Sequence, residues 1–173
     1  MNLLRKLRRD QRGAAVIELA IAAPVLAMLV IGMSDITIAY GRELDLEQGA
    51  QRAIEKVMQT TGDQTVEDAI KNEAVCQVNG TNSGGTCKSA PITTANVTVT
   101  YRLECMDGGT VASSQETTDS TEFSGFSCDE GQTAANYLRV KVTDQYTPMF
   151  AMHFGTDADG TYHLSATAGI RTQ

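Results

Sequence analysis

Three features of the sequence predict an α+β fold in which one long N-terminal helix lies across a small antiparallel sheet. Residues 14–33 form an apolar run with Glu18 as its only ionisable group, and helical spacing of apolar residues continues from there to Thr60. The C-terminal half holds three stretches in which apolar and polar residues alternate, the period of a half-buried strand. Between these lie segments rich in Gly, Ser, Thr and Asn, the composition of turns and loops. A long helix followed by a run of strands is the order of an α+β domain.

Residues 1–13 carry Arg5, Lys6, Arg8, Arg9 and Arg12 against Asp10. The twenty residues that follow make about 30 Å of helix at 1.5 Å per residue, which matches the hydrocarbon thickness of a bilayer. A Lys/Arg-rich flank stays on the cytoplasmic side, so everything after Met33 is expected outside. An ionised carboxylate within such a span costs roughly 2.5 kcal/mol or more, and Glu18 therefore needs a role. A cleavable secretory signal fits poorly. Its A-x-A site would be Ala20-Ile21-Ala22, which leaves the greasiest residues, Val25 to Met33, downstream of the cut. An ordinary signal anchor fits the length and gives Glu18 nothing to do.

The third possibility is a short basic leader cut after Gly13, giving a mature chain that starts at Ala14 and has Glu18 as its fifth residue. The stretch Arg12-Gly13-Ala14-Ala15-Val16-Ile17-Glu18-Leu19-Ala20, followed by Pro24 and Val25 to Gly32, resembles the TadE-like family. These are minor pilins, or pseudopilins, of the tight-adherence (Tad/Flp) pilus and secretion apparatus. The resemblance covers about residues 12–45 and, more loosely, the closing strand Ala166 to Arg171. It implies removal of the leader by an aspartic prepilin peptidase, retention of the apolar helix, and assembly with other pilin subunits. In such proteins the glutamate meets the new α-amino group of a neighbour, which makes Glu18 an assembly residue expected here; Pro24, which lacks an amide hydrogen and permits a kink, is expected to let the helix bend into the assembly. Leu19 stands where the family's major pilin usually has Tyr, and this chain is much longer, so a minor subunit is the better match. The location implied is the bacterial inner membrane, single-pass, with a periplasmic C-terminal part that reaches an extracellular pilus after assembly.

Four units are expected: the leader 1–13, a transmembrane helix 14–33, its amphipathic continuation 34–60, and an exported α+β domain 61–173. Beyond the leader, 9 basic residues face 20 acidic ones, a balance of −11. Nucleic acid is not an expected partner, since counterion release needs clustered Lys/Arg. Four cysteines, Cys76, Cys87, Cys105 and Cys128, fall in the exported part, where two disulfides are the default and three pairings are open. Sequence proximity favours Cys76–Cys87 and Cys105–Cys128, each worth about 3 kcal/mol. A zinc site would need closer C-x₂₋₄-C spacing.

In the continuation, Leu46, Ala50, Ala53, Ile54 and Val57 recur at three- and four-residue steps, opposite Asp45, Glu47, Gln48, Arg52 and Glu55. The nearer stretch, Asp35 to Leu44, reads as interfacial, with Tyr40 near headgroup depth. Gly32, Gly41 and Gly49 each cost about 1 kcal/mol against Ala, through either tolerated flexibility or close approach of another helix. Thr61-Gly62-Asp63 is a helix stop. Thr65 is a suitable N-cap for a second helix over Val66 to Val75, and Gln77 to Pro91 reads as a loop held by Cys76 and Cys87.

Strands are expected over Asn96 to Cys105, Leu138 to Thr143 and Tyr162 to Ile170. Met106 to Asn136 reads as a long polar loop broken by Phe123 and Phe126, and loops of that length are usually functional or mobile. His153 and His163 flank a turn at Gly155 to Gly160, without metal-ligand or triad spacing. Asp157-Ala158-Asp159-Gly160 fails the calcium-loop pattern, because its first and twelfth positions would be Gly155 and Ala166, so a hairpin turn is expected. Neither catalysis nor a cofactor is expected. An uncleaved, single-span periplasmic binding or adaptor protein, with 106–136 as its recognition loop, is the alternative.

Overall fold

The computed structural model describes residues 11–59, 66–150 and 155–172. Helix α1 runs Gln11–Gln59 without interruption, 49 residues with Pro24 inside it. At 1.5 Å per residue this is about 73 Å of helix. Helix α2 spans Val66–Asn79, with Glu67 and Asp68 in its first turn, where the positive end of the helix dipole favours acids. Strand β1 is Val97–Asp107, β2 is Thr110–Thr117, β3 is Thr133–Tyr146 and β4 is Tyr162–Arg171. A four-residue helix, α3, covers Ser120–Phe123. The strands form one antiparallel sheet in the order β2-β1-β3-β4.

The apolar stripe of α1 meets the apolar face of the sheet. Leu46, Ala50, Ala53 and Ile54 are buried, as their spacing predicts, against Val97 and Val99 of β1, Leu138, Val140 and Val142 of β3, and Ala166 of β4. Ile70, Ala74 and Val75 of α2 close the same core. Small residues dominate where α1 crosses α2. A Cβ on Gly49 would come within 2.5 Å of Val78 Cγ2 and 3.1 Å of the Ala74 carbonyl oxygen, whereas one on Gly41 would meet nothing within 4 Å. Gly49 is thus a close-approach glycine, and Gly41 is not.

Two expectations change. Helix α2 continues through Cys76 and Gln77 to Asn79, where Gly80 at φ 74° turns the chain out. Its last residue, Asn79, is buried and acts as a clamp: Nδ2 donates to the carbonyls of Lys88 (2.8 Å) and Ile92 (2.7 Å), while Oδ1 accepts from Ile92 N (3.0 Å). These bonds give the extra turn of helix a reason that hydrophobic period alone does not contain. The loop is Gly80 to Pro91, tied also by the Cys76–Cys87 disulfide, with Cα atoms 4.8 Å apart.

The second change is larger. Residues 106–136 are not one loop but the end of β1, the strand β2, the helix α3 and the start of β3. Strand β2 is exposed along nearly all its length and so shows no apolar alternation, which is why the period test passes over it. The turn before it, Gly108-Gly109 with φ 56° and 88°, is the glycine pair of a tight hairpin. Asp119 caps α3 by accepting from Thr121 N and Glu122 N. Phe123 packs between Tyr101 (5.4 Å between ring centroids) and Phe126 (5.7 Å), and Cys105 is joined to Cys128, Cα atoms 5.5 Å apart. The helix stop at 61–63, the Thr65 cap and His153 lie outside the described residues.

Candidate functional site

Two parts of α1 behave differently. Its first half is apolar and uncovered: Val16, Ile17, Leu19, Ile21, Val25, Leu26, Met28, Leu29, Val30 and Met33 are all exposed. The most apolar window there has a mean hydropathy of 2.4, and among the described residues this is the one helix long and apolar enough to cross a membrane. Glu18 is exposed on this half and, among the described residues, has no ion-pair or hydrogen-bond partner. Gly13 and Ala14 lie in the backbone of the same helix, which passes through Pro24.

The second half begins with a polar joint that sequence reasoning missed. Asp35, only 5% exposed, accepts from Met149 N (3.0 Å), Phe150 N (3.3 Å) and Tyr146 Oη (3.4 Å). Two turns later, Arg42 Nη1 pairs with Asp144 Oδ2 at 2.9 Å, and its guanidinium lies 4.9 Å from the centre of the Tyr146 ring. Burial, with the Asp35 carboxylate beside it, raises the pKa of Tyr146. Charge-assisted bonds of this kind are stronger than neutral ones and directional, so the joint fixes where the end of β3 sits along α1.

The stretch Asp35 to Leu44 is therefore arranged the other way round from a simple interfacial helix. Ile36, Ile38, Tyr40 and Leu44 face outward, while Asp35, Ala39 and Arg42 face the sheet. The signal was present in the sequence: 35, 39, 42, 46, 50 and 53 form one unbroken three- and four-residue stripe. Reading only its apolar members hid the first turns.

At the turn before β4, Asp157 N donates to Thr161 O and Gly160 N to Asp157 O, both at 2.9 Å, the hairpin that the sequence predicts. His163 Nε2 stands 2.7 Å from Asp159 Oδ2. That hydrogen bond, then those from Thr161, bring the Asp159 carboxyl down to about 2, and Asp159 in turn raises the His163 pKa. The Asp159 share of stability is present above its ordinary value near 3.9 and is lost as pH falls towards the lowered one. The His163 share is full below about 6.5 and is lost as pH rises through the raised one. The pair thus holds the turn best between about pH 4 and 6.5. In Asp159→Asn, the His163 ring protons followed by NMR should titrate at a lower pH than in the parent chain; an unmoved midpoint would contradict the pairing.

No curated protein and no solved structure matches this chain. A family does, over a segment that opens at Gly13, takes in the exposed half of α1 with Glu18, includes the Asp35 and Arg42 joint, and closes within the core stripe at Ile54. Over residues 13–54, the chain matches the family described as TadE-like protein.

Proposed function

We propose that this chain is a minor pilin, or pseudopilin, of a Tad/Flp-type pilus, cut after Gly13 by a prepilin peptidase and assembled with other pilin subunits through its N-terminal helix. The observation that carries the reading is the uncovered apolar half of α1 bearing Glu18, inside a TadE-like segment that begins at the proposed cut. A half-helix that is apolar and left uncovered by the described residues suits a lipid environment before assembly and neighbouring helices after it. Cleavage creates an ammonium at Ala14, and Glu18 of an adjoining subunit supplies the carboxylate to receive it. Pro24 lacks an amide hydrogen and leaves the carbonyl of Ala20 without its helical donor, a point at which the helix can bend on leaving the bilayer.

The mature N-terminus decides between this reading and an uncleaved, anchored adaptor. Sequencing or intact mass of the membrane form should begin at Ala14, and an adaptor would retain its leader. Gly13→Arg should accumulate as an uncut precursor that still inserts, because the leader charge and the apolar run are unchanged. Its processing to the parent size would remove Gly13 from the cleavage site.

A further inference from the structure

We propose that the turn after β3 is a second membrane contact, with Met149 and Phe150 entering the acyl–headgroup boundary beside the helix. Asp35 is the first ionisable residue after Glu18 and lies two residues past Met33, about 3 Å further along the helix axis. It marks the level at which the apolar span ends. Its carboxylate holds the backbone amides of Met149 and Phe150 directly, so this turn is tethered to α1 at that level.

The side chains on the tethered turn are unusual for a protein surface facing water. Met149 is 73% exposed and Phe150 41%, and no charged residue stands between Tyr146 and Phe150. On the adjoining face of α1, Ile36 and Tyr40 are exposed too. Of the charges on the joint itself, Asp35 is engaged by the turn's own amides and Arg42 by Asp144, while the exposed Asp157 and Asp159 lie on the separate turn before β4. The outward side chains of the tethered turn and of α1 at this level, Met149, Phe150, Ile36 and Tyr40, are uncharged and follow directly on the exposed apolar span. This rests on the reading that α1 crosses the bilayer, and it adds that the globular domain leans on the membrane instead of standing clear of it. A contact of this chemistry depends on apolar insertion, not on anionic lipid, and should be insensitive to salt.

The chain contains no tryptophan, so Phe150→Trp and, separately, Met149→Trp introduce a single reporter. Each full chain is placed in phosphatidylcholine vesicles with or without bromine on the acyl carbons nearest the headgroup. Leu29→Trp reports the span, and Val111→Trp, exposed on β2 at the opposite end of the sheet, reports the distant domain. Tryptophan at 150 and 149 should emit to the blue of that at 111 and be quenched several-fold more strongly, at low and high salt alike. Quenching at 29 without quenching at 149 or 150 would overturn the membrane contact while leaving the membrane-spanning helix intact. Absence of quenching at 29 would remove the spanning reading, and this proposal with it. A blue shift at 150 that grows with protein concentration and ignores bromine would place a second copy on the turn, and would also overturn it.

Discussion

Glu18→Ala should be cut to the mature length, remain in the membrane and be absent from assembled pili. A carboxylate and an ammonium about 4 Å apart attract by about 4 kcal/mol at an effective dielectric of 20, enough to offset a membrane penalty of about 2.5 kcal/mol for the acid. Losing an attraction of about 4 kcal/mol weakens a subunit contact by about a thousandfold, since about 1.4 kcal/mol is tenfold. On the proposed mechanism, the alanine variant should be more comfortable in lipid and would have nothing to offer the ammonium of a neighbour. Processing and assembly should separate here: Gly13→Arg is expected to fail at the first step, Glu18→Ala only at the second. Precursor size, membrane retention and recovery in sheared surface filaments measure the three stages in turn. Recovery of Glu18→Ala at the parent level would rule out the ammonium–carboxylate mechanism.

Gly49→Leu should destabilise the globular domain by about 3 kcal/mol, the upper part of the usual range for overpacking. The space is closed on two sides, by the Val78 side chain and by the backbone of α2 at Ala74, and only the first can be made smaller. Val78→Ala should therefore recover part of the loss in Gly49→Ala and little of the loss in Gly49→Leu. Gly41→Ala is the opposite case. Its Cβ would enter open space, so the helix gains up to about 1 kcal/mol of propensity with no steric cost. Urea titration of the detergent-solubilised chains, read by far-UV circular dichroism, would compare them. Equal effects at 41 and 49 would mean that α1 and α2 do not approach at Gly49.

The parts of this fold that were legible in the sequence are those in which one side of an element is apolar. Leu46, Ala50, Ala53 and Ile54 on α1, and Val140 and Val142 on β3, announce themselves because burial and hydrophobicity coincide. Strand β2 is invisible to that test, since its identity comes from backbone pairing with β1 and not from side-chain burial. Asn79 and Asp35 were missed for a related reason. Each is a buried polar residue whose partners are backbone groups distant in sequence, at Ile92 and at Met149, and a single chain read in order does not place those groups beside it. Glu18 was conspicuous for the opposite reason, as the one acid in an apolar run.

The clamp of Asp35 and Arg42 on the end of β3 also sets an angle. A helix held at those two points cannot swivel beneath its domain, and α1 continues without interruption back to Glu18. Successive residues turn by about 100°, so the seventeen steps from Asp35 to Glu18 place the glutamate about 100° around the axis from the sheet-facing side. On the proposed assembly, and with the helix unbent at Pro24, the azimuth at which the carboxylate would meet a neighbour is a property of the globular domain, carried down the helix as a phase. One residue inserted between them would rotate Glu18 by about 100° relative to the sheet while breaking no contact in either half.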